Sequence, residues 1–238
     1  MIYVLDKTVV LFDLGGTLIN YFGRNEFPNI LKQGITAVQN FLSEKGFLKI
    51  TSPLTWIRVE KEDYESKNHV VRPLEKRLAR IFQINSRELL DEMCRYFMQP
   101  IFSLGQCYRD TLPVLQKLKN AGFITGIVSN TTWGSPANLW REETERLGLD
   151  ELVDAIIFCR DVGWRKPDKK IFQYTLNKLN VNANECIFVG DHPEWDVKGP
   201  KTVGIEPLLI DRKEVFKDDK YSINDLYRLL NRLSILDN

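Results

Sequence analysis

Short apolar runs alternate with segments of helical periodicity along most of the chain, and this alternation limits the possible folds more than any other feature. Runs rich in β-branched and aromatic residues predict buried strands at 8–12, 124–129, 155–158, 186–189 and 207–210. Helical patterns predict helices at 113–120, 137–147, 168–179, about 194–202, and 224–233. Strands that alternate with helices form a parallel sheet covered on both faces. The sequence therefore predicts an α/β fold with a doubly wound, Rossmann-like parallel sheet.

The pattern changes between the first and second predicted strands. Apolar residues there recur at helical spacing only, with no strand-like run between them. Pro73 interrupts the pattern, and Ser86 stands where a helix start is expected. We therefore predict an inserted helical cap domain of about four helices over 21–103, and a core domain formed by 1–20 and 104–238.

Polar residues that could act in catalysis or ligand binding lie at the ends of three of the predicted strands. Asp13 follows the first strand and opens a glycine-rich turn. Ser129 and Asn130 end the second strand, and Asp191 and Asp196 follow the run at 186–189. In an open α/β sheet, ligands bind outside the carboxyl ends of the strands. The sequence therefore predicts a single polar site at this edge of the sheet.

A lysine occupies an unusual position between these motifs. Lys166 stands just before Pro167 at a predicted helix start, where the helix dipole disfavours a cation. This favours a functional role for the lysine. In chain order, the strand–Asp, strand–Ser, Lys–Pro and strand–Gly-Asp-x-x-x-x-Asp motifs resemble the four motifs of the haloacid dehalogenase (HAD) superfamily, in its helical-cap branch. The resemblance extends from Val9 to about Ile210.

The resemblance implies a role for each motif residue. Asp13 would be the nucleophile, and Thr17 would cap the turn and position the first motif. Ser129 would hydrogen-bond a phosphoryl oxygen, and Asn130 would orient the nucleophile or the substrate. Lys166 would neutralise the nucleophile and bind the transferring group. The implied metal ligands, which would together hold Mg²⁺, are Asp13, Asp191, Asp196 and the backbone carbonyl of Gly15.

Gly15 departs from the pattern of the phosphatases in this superfamily. Those enzymes carry a second Asp two residues after the nucleophile, which protonates the leaving oxygen and later activates water. General acid–base help of this kind is worth roughly 10²–10⁴ in rate. Since Gly15 lacks the acid, we expect a preference for leaving groups that need no proton, such as those of acyl or aryl phosphates.

The resemblance implies a Mg²⁺-dependent hydrolase that acts on a small phosphorylated metabolite through an aspartyl-phosphate intermediate. Two other enzymatic interpretations stay open: a 2-haloacid dehalogenase-like hydrolase, and a phosphonatase-like hydrolase, which needs a cap lysine for a Schiff base. A catalytically weak protein that binds a phosphoryl ligand or a protein partner is a third interpretation, favoured by Gly15. The paired carboxylates Asp191 and Asp196 favour metal and phosphoryl chemistry over dehalogenation.

The predicted cap would select the substrate, and its polar residues are the candidates. Those for substrate contact are Arg58, Glu60, Lys61, His69 and Arg72. The cap lysines that could form a Schiff base are Lys32, Lys45, Lys49, Lys61 and Lys67.

The net charge and the cysteine content restrict the classes of binding partner and the cellular compartment that we expect. The net charge of +1 gives no overall field that attracts nucleic acid or a membrane. No apolar run approaches the ~18 residues of a membrane span, and the first residues lack the pattern of a signal peptide. The four cysteines, at 94, 107, 159 and 186, show no CxxC spacing and are expected to be reduced. We expect a cytoplasmic monomer or homodimer.

Overall fold

Six parallel strands form the central sheet of the protein. The computed structural model describes residues 7–47, 53–62, 66–215 and 222–235. In chain order the strands are β1 (Val9–Phe12), β2 (Ile19–Asn20), β3 (Gln106–Cys107), β4 (Ile124–Ser129), β5 (Ala155–Phe158), β6 (Cys186–Gly190), β7 (Glu206–Ile210) and β8 (Ser222–Ile223). The sheet order is β5–β4–β1–β6–β7–β8, while β2 and β3 form a separate antiparallel pair. The predicted α/β fold with a parallel sheet is confirmed.

Helices cover the sheet and fill one long insertion. They are α1 (Phe27–Glu44), α2 (Pro53–Lys61), α3 (Leu74–Phe82), α4 (Arg87–Phe102), α5 (Thr111–Asn120), α6 (Ala137–Arg146), α7 (Cys159–Val162), α8 (Lys169–Leu179), α9 (Gly199–Lys201) and α10 (Tyr227–Arg232). We call α1 to α4, residues 27–102, the helical insert; it lies between β2 and β3. The predicted helical character of this segment is confirmed for the part that the structure describes. The division into separate cap and core domains at 21 and 103 stays a prediction.

The first strand is buried on both of its faces. Val9 and Leu11 pack into one hydrophobic cluster, while Val10 and Phe12 pack into another, and all four side chains are fully buried. A parallel sheet that is covered on both faces needs this continuous apolar run, because every side chain of a central strand meets a helix layer.

The sheet brings the polar ends of three strands to one edge. Phe12 at the end of β1 pairs in register with Ile127 of β4 and with Val189 of β6. The residues that follow these strands therefore emerge side by side. The strand order also reverses at β1, since β4 and β6 flank it, and such a switch point is where open α/β sheets bind ligands.

The helical insert is held together by close contact of its two longest helices. Gly34 of α1 lies against α4, where a Cβ at position 34 would lie 2.9 Å from the carbonyl oxygen of Phe97. Only a glycine permits this approach. The predicted start of α4 is correct, because the Ser86 hydroxyl accepts a hydrogen bond from the backbone N–H of Leu89 at 3.4 Å.

The structure differs from the sequence-based prediction mainly in its shortest elements. The helix predicted over 194–202 is instead a π-helical turn, Pro193–Lys198, followed by the three-residue α9. The last helix begins at Tyr227 rather than at 224. The strands β2, β3 and β8 were not predicted, because two residues carry no measurable periodicity.

Three further predictions concern the whole chain. No helix among the described residues has both the length and the apolar character needed to cross a membrane. All four cysteines are free thiols, as predicted. The prediction about a signal peptide rests on the first residues, and residues 1–6 lie outside the described part of the chain.

Candidate active site

A buried lysine joins two carboxylates at the carboxyl edge of the sheet. The Lys166 Nζ lies 2.7 Å from Asp13 Oδ1 and 2.6 Å from Asp196 Oδ1. The Ser129 hydroxyl donates a hydrogen bond to the same oxygen of Asp13 at 2.9 Å. The lysine side chain is only 1% exposed. The four residues, which come from four separate segments of the chain, thus form one hydrogen-bonded group.

Burial and charge act against each other in this group. Burial by itself would lower the pKa of Lys166, but the charges of Asp13 and Asp196 outweigh it and raise that pKa above its usual value. Burial raises the pKa of Asp196 despite the opposing charge of Lys166, and the nearby charge of Asp13 adds to the rise. Lys166 therefore remains a cation. Its single positive charge is shared by two buried carboxylates, those of Asp13 and Asp196.

Asn130 fixes the backbone of the lysine rather than the nucleophile itself. Its side-chain oxygen accepts a hydrogen bond from the Lys166 N–H at 2.8 Å, and its amide nitrogen donates to the Lys166 carbonyl at 3.1 Å. This two-point contact joins the end of β4 to the loop before α8. Asn130 also lines the cavity described below, so substrate contact by Asn130 stays a prediction.

Three carboxylates converge beside this group. One oxygen each of Asp13, Asp191 and Asp196 lies within 4.8 Å of the others. The turn after β1 leaves room for Asp191: Gly16 has φ +79°, and a Cβ there would lie 2.6 Å from Asp191 Oδ2. Three clustered acidic oxygens are the donor set that a hard divalent cation takes. The chain therefore fits the metal that the sequence motifs implied.

Thr17 does not have the predicted contacts. Its side chain is fully buried, and its hydroxyl has no hydrogen-bond partner among the described residues. The turn after Asp13 is closed by backbone hydrogen bonds instead, from Gly16 N to the Ile19 carbonyl and from Leu18 N to the Leu14 carbonyl. The Thr17 hydroxyl thus makes no hydrogen bond that closes this turn among the described residues, and the role of Thr17 as a site residue stays a prediction.

A cavity of about 380 Å³ opens above the carboxylates. Its floor includes Asp13, Ser129 and Asp191, and its walls come from the core and from the helical insert. This volume falls within the range of about 300–1,000 Å³ that is usual for small-ligand pockets. The aromatic residues of the wall are Tyr21, Phe22, Phe27, Trp133, Trp140 and Trp195.

The segment before α3 docks on the loop that carries the lysine. Val71 N donates to the Gly163 carbonyl at 3.0 Å, and Arg165 N donates to the His69 carbonyl at 2.9 Å. Glu75 of α3 forms an ion pair with Arg160 at 2.7 Å. The cavity wall formed by the insert is therefore tied to the core within a few residues of Lys166.

Gly15 lines the cavity beside the ring of Tyr21. A Cβ at position 15 would lie 3.6 Å from Tyr21 Cδ2, an ordinary contact distance, and the backbone of Gly15 is not left-handed. Burial raises the pKa of Tyr21 far above its usual value, and the charge of Glu143 adds to the rise, so this phenol is a poor acid. Among the described residues that line the cavity, the only carboxylates are Asp13 and Asp191, and none is a histidine.

His192 and Trp195 form a stacked pair in the turn after β6. The ring nitrogen Nδ1 of His192 accepts hydrogen bonds from the backbone N–H groups of Glu194 at 3.1 Å and Trp195 at 3.4 Å. Its ring also stacks on Trp195, with the ring centroids 3.9 Å apart. The guanidinium of Arg165 lies over the Trp195 ring, 5.0 Å from the ring centroid.

Only one of the predicted substrate-contacting residues in the insert lines the cavity. This is Arg72. Arg58 instead donates to the Ile81 carbonyl at 3.0 Å, which makes it a structural residue of the insert. The lysines predicted as Schiff-base candidates at 32, 45, 61 and 67 are exposed and do not line the cavity, and Lys49 lies outside the described residues.

The residue that sequence reasoning missed is Arg77, which is buried in the cavity wall.

Comparison with known proteins gives matches to one family. A family model described as haloacid dehalogenase-like hydrolase matches residues 7–204. The chain is 36% identical over 112 residues to a glyceraldehyde 3-phosphate phosphatase of Pyrococcus furiosus, covering 47% of this chain and 42% of that protein. It is 33% identical over 129 residues to (S)-2-haloacid dehalogenase 4A of Burkholderia cepacia, covering 54% of this chain and 53% of that protein. A HAD phosphatase structure from Thermococcus onnurineus matches with a TM-score of 0.64 and 26% identity, covering 95% of this chain and 97% of that one.

The fold is a Rossmann-like parallel sheet, with a nucleophile candidate at the end of the first strand. Since the family match covers most of the chain, the protein belongs to the haloacid dehalogenase-like hydrolases, as the motifs predicted. The chain spans about half the length of the curated relatives that it matches. Those relatives include a phosphatase and a dehalogenase, so family membership alone does not choose between the two activities.

Proposed function

We propose that this protein is a Mg²⁺-dependent phosphohydrolase that acts on a small phosphorylated metabolite in the cytoplasm through an aspartyl-phosphate intermediate. The observation that carries the proposal is the cluster of Asp13, Asp191 and Asp196, two of which, Asp13 and Asp196, also share one buried lysine. Dehalogenation would require one carboxylate nucleophile and no metal. Three carboxylates within 4.8 Å of one another are costly with Lys166 as the one cation paired with them, which supports a bound metal ion and phosphoryl chemistry.

Asp13 is the proposed nucleophile. Ser129 and Lys166 both donate hydrogen bonds to Oδ1, which fixes the orientation of the carboxylate. Oδ2 is therefore the oxygen that attacks phosphorus. Oδ2 would form a bond to phosphorus while the bond from phosphorus to the leaving oxygen breaks. Splitting hydrolysis into two displacements replaces one difficult step by two easier ones.

The metal would be held by Asp13, Asp191 and Asp196, together with the carbonyl of Gly15. When bound, Mg²⁺ would screen the negative charge between the nucleophile and the phosphoryl oxygens. Lys166 contributes a fixed positive charge beneath the same carboxylate and costs no reorganisation during the reaction, because its ion pairs already hold it in place.

The absence of an acid at position 15 affects both steps. In the first step the leaving oxygen departs without a proton, so aryl and acyl phosphates are the best substrates. In the second step the attacking water has no carboxylate at position 15 to accept its proton. With an activated aryl phosphate we therefore expect fast formation of the intermediate and slow hydrolysis, which produces a burst of product in the first turnover.

Chelation tests the proposed function. With 4-nitrophenyl phosphate, EDTA is expected to lower turnover by about 10²-fold or more, and added Mg²⁺ to restore it, since metal ions supply several kcal/mol of transition-state stabilisation. The parallel assay measures halide release from 2-chloropropionate. Release of chloride that EDTA does not affect, without phosphatase activity, would establish the dehalogenase alternative instead.

Replacing Gly15 by Asp tests the role of the missing acid. A Cβ at position 15 would make only an ordinary contact, so Gly15→Asp is expected to raise kcat on an alkyl phosphate by up to roughly 10²-fold, and much less on 4-nitrophenyl phosphate, whose leaving group needs no proton. The burst should also diminish. Gly15→Asn is the matched control, because it adds the same volume without an acid.

Equal effects of Gly15→Asp on both substrates, in a protein whose melting temperature is unchanged, would contradict this role. In that case another group already supplies the proton. Binding of a phosphoryl ligand without any turnover, by wild type and by Gly15→Asp alike, would favour the interpretation of a catalytically weak binding protein.

A further inference from the structure

The turn that follows β1 is fixed at its start by the sheet. We call residues 13–19 the nucleophile turn, since they begin with the proposed nucleophile Asp13. Asp13 N donates a hydrogen bond to the carbonyl of Val189 in β6 at 2.9 Å. Inside the turn, Leu18 N donates to the Leu14 carbonyl at 2.9 Å. The carbonyls near the end of the turn are instead held by residues from outside it.

Arg212, two residues after β7, binds the end of this turn. Its Nη2 and Nε both donate to the Thr17 carbonyl, at 2.6 and 3.2 Å. Its Nη1 and Nη2 donate to the two carboxylate oxygens of Asp110, each at 3.0 Å. Its Cζ also lies 3.7 Å from the ring centroid of Tyr108. One guanidinium therefore connects the nucleophile turn with the segment that follows β3.

Asp110 holds this guanidinium in a single orientation. Its side chain is only 2% exposed, and its Oδ2 accepts a further hydrogen bond from the backbone N–H of Leu226 at 2.8 Å. A guanidinium that binds both oxygens of one carboxylate is fixed in direction as well as in position, because its N–H donors form a rigid plane. The Thr17 carbonyl therefore meets donors whose positions are set by the core.

The neighbouring carbonyl of the turn is bound by the same segment of the core. The Leu18 carbonyl accepts a hydrogen bond from Tyr108 N at 3.0 Å and another from the hydroxyl of Thr111 at 2.7 Å. Thr111 is fully buried and is the first residue of α5, directly after Asp110. The start of one helix and one arginine therefore hold two successive carbonyls of the nucleophile turn.

The position of this turn matters for the acidic cluster. A Cβ at Gly16 would lie 2.6 Å from Asp191 Oδ2, so the turn packs closely against that carboxylate. The turn also contains Asp13 and Gly15, whose carboxylate and carbonyl are proposed metal ligands. Groups that orient metal ligands without touching the metal typically account for about 10- to 100-fold in metal affinity or activity. A displacement of the turn would therefore weaken Mg²⁺ binding.

We infer that Arg212, held by Asp110, is a positioning residue that keeps Asp13 and the Gly15 carbonyl in place for the metal. The inference rests on the proposed function and goes beyond it, because none of the four sequence motifs includes either residue. Neither Arg212 nor Asp110 is among the described residues that line the cavity, so they act through the turn and not through the substrate. Loss of Arg212 should therefore weaken Mg²⁺ binding and lower kcat, while KM stays unchanged.

Calorimetry of Mg²⁺ binding tests the inference without any turnover. We expect Arg212→Met to weaken binding by about 10-fold or more. Arg212→Lys should weaken it less, because the ammonium retains the charge for Asp110 but lacks the planar fork that also reaches Thr17. Arg232→Met is the matched control, since it breaks another ion pair of the core, that of Arg232 with Glu206 at 3.4 Å, which involves no residue of the turn. This control should bind Mg²⁺ as wild type does.

Kinetics and melting temperatures separate a positioning role from a purely structural one. At saturating Mg²⁺, Arg212→Met should show the wild-type KM for 4-nitrophenyl phosphate and a kcat about 10-fold lower. A lower melting temperature together with wild-type Mg²⁺ affinity and kcat would identify a structural residue only, and would overturn the inference. If Arg212→Met does not fold, Arg212→Lys decides by the same criteria.

The same titrations distinguish failure of the inference from failure of the proposed function. Weaker Mg²⁺ binding by Arg212→Met than by wild type supports the positioning role even if neither protein hydrolyses 4-nitrophenyl phosphate. Equal Mg²⁺ binding and equal turnover by the two proteins would overturn the inference and leave the proposed function intact. Absence of Mg²⁺ binding by wild type would contradict both.

Discussion

Replacing Asp13 by Asn is expected to reduce phosphatase kcat by roughly 10⁴-fold or more, because an amide cannot take the place of the attacking carboxylate; losses of this size follow removal of a nucleophile. The fold should survive. Asn has almost the same shape, Ser129 can still donate to its oxygen, and Lys166 retains its ion pair with Asp196. Steady-state kinetics on 4-nitrophenyl phosphate and circular dichroism measure both effects.

The matched control is Asp91→Asn, which makes the same chemical change on the exposed side of α4. It should behave as wild type. Turnover of Asp13→Asn within 10-fold of wild type would exclude Asp13 as the nucleophile.

Replacing Lys166 by Met is expected to cost both activity and stability. The substitution leaves Asp13 and Asp196 buried and close together with no cation between them. Breaking a buried ion pair by removal of one partner costs about 3–5 kcal/mol of unfolding free energy. Urea unfolding in metal-free buffer measures this loss. Activity should fall by roughly 10³-fold, because a fixed electrostatic contact of the nucleophile is lost.

A double variant separates the two effects of this lysine. Lys166→Met combined with Asp196→Asn leaves one buried carboxylate instead of two, and should regain about 1–3 kcal/mol of stability through the coupling of neighbouring sites. Activity should not return. Lys169→Met, at an exposed position of α8, is the control and should change neither quantity. If Lys166→Met alone unfolded at the wild-type urea concentration, the ion pairs would not support the fold.

The positions of Asp13, Ser129 and Asp191 could be predicted from sequence because they depend on one rule. Each residue follows an apolar run that had to be a strand, and parallel strands bring their carboxyl ends to one edge. The register of β1 with β4 and β6 then brings the three side chains together. Strand periodicity is a strong signal, so the sheet and this part of the site were both predictable.

The contacts made by loops and by the helical insert could not be predicted in the same way. Thr17 has the right residue type at the right spacing, but the turn closes through backbone hydrogen bonds that any residue can form. The two-residue strands β2 and β3, which tie together the ends of the insert, have no periodicity. Their pairing depends on contacts between residues almost ninety positions apart.

Arg77 did leave a signal in the sequence. It stands three residues after Leu74 and four before Ile81, on the apolar stripe of an amphipathic helix. An arginine at such a position marks either a structural ion pair or a ligand site. The sequence cannot choose between these two, because the carboxylate of Glu62 that Arg77 shares with Arg80 and the shape of the cavity are features of the folded chain.

Trapping the covalent intermediate tests the central proposal most directly. Wild-type protein is mixed with 4-nitrophenyl phosphate and Mg²⁺, quenched during the burst, and treated with borohydride, which reduces an acyl phosphate to an alcohol. Peptide mass spectrometry should find the Asp13 side chain converted to that of homoserine, and only when substrate and metal were both present. Turnover with an unmodified Asp13, or with the modification on Asp191 or Asp196 instead, would contradict the proposed mechanism.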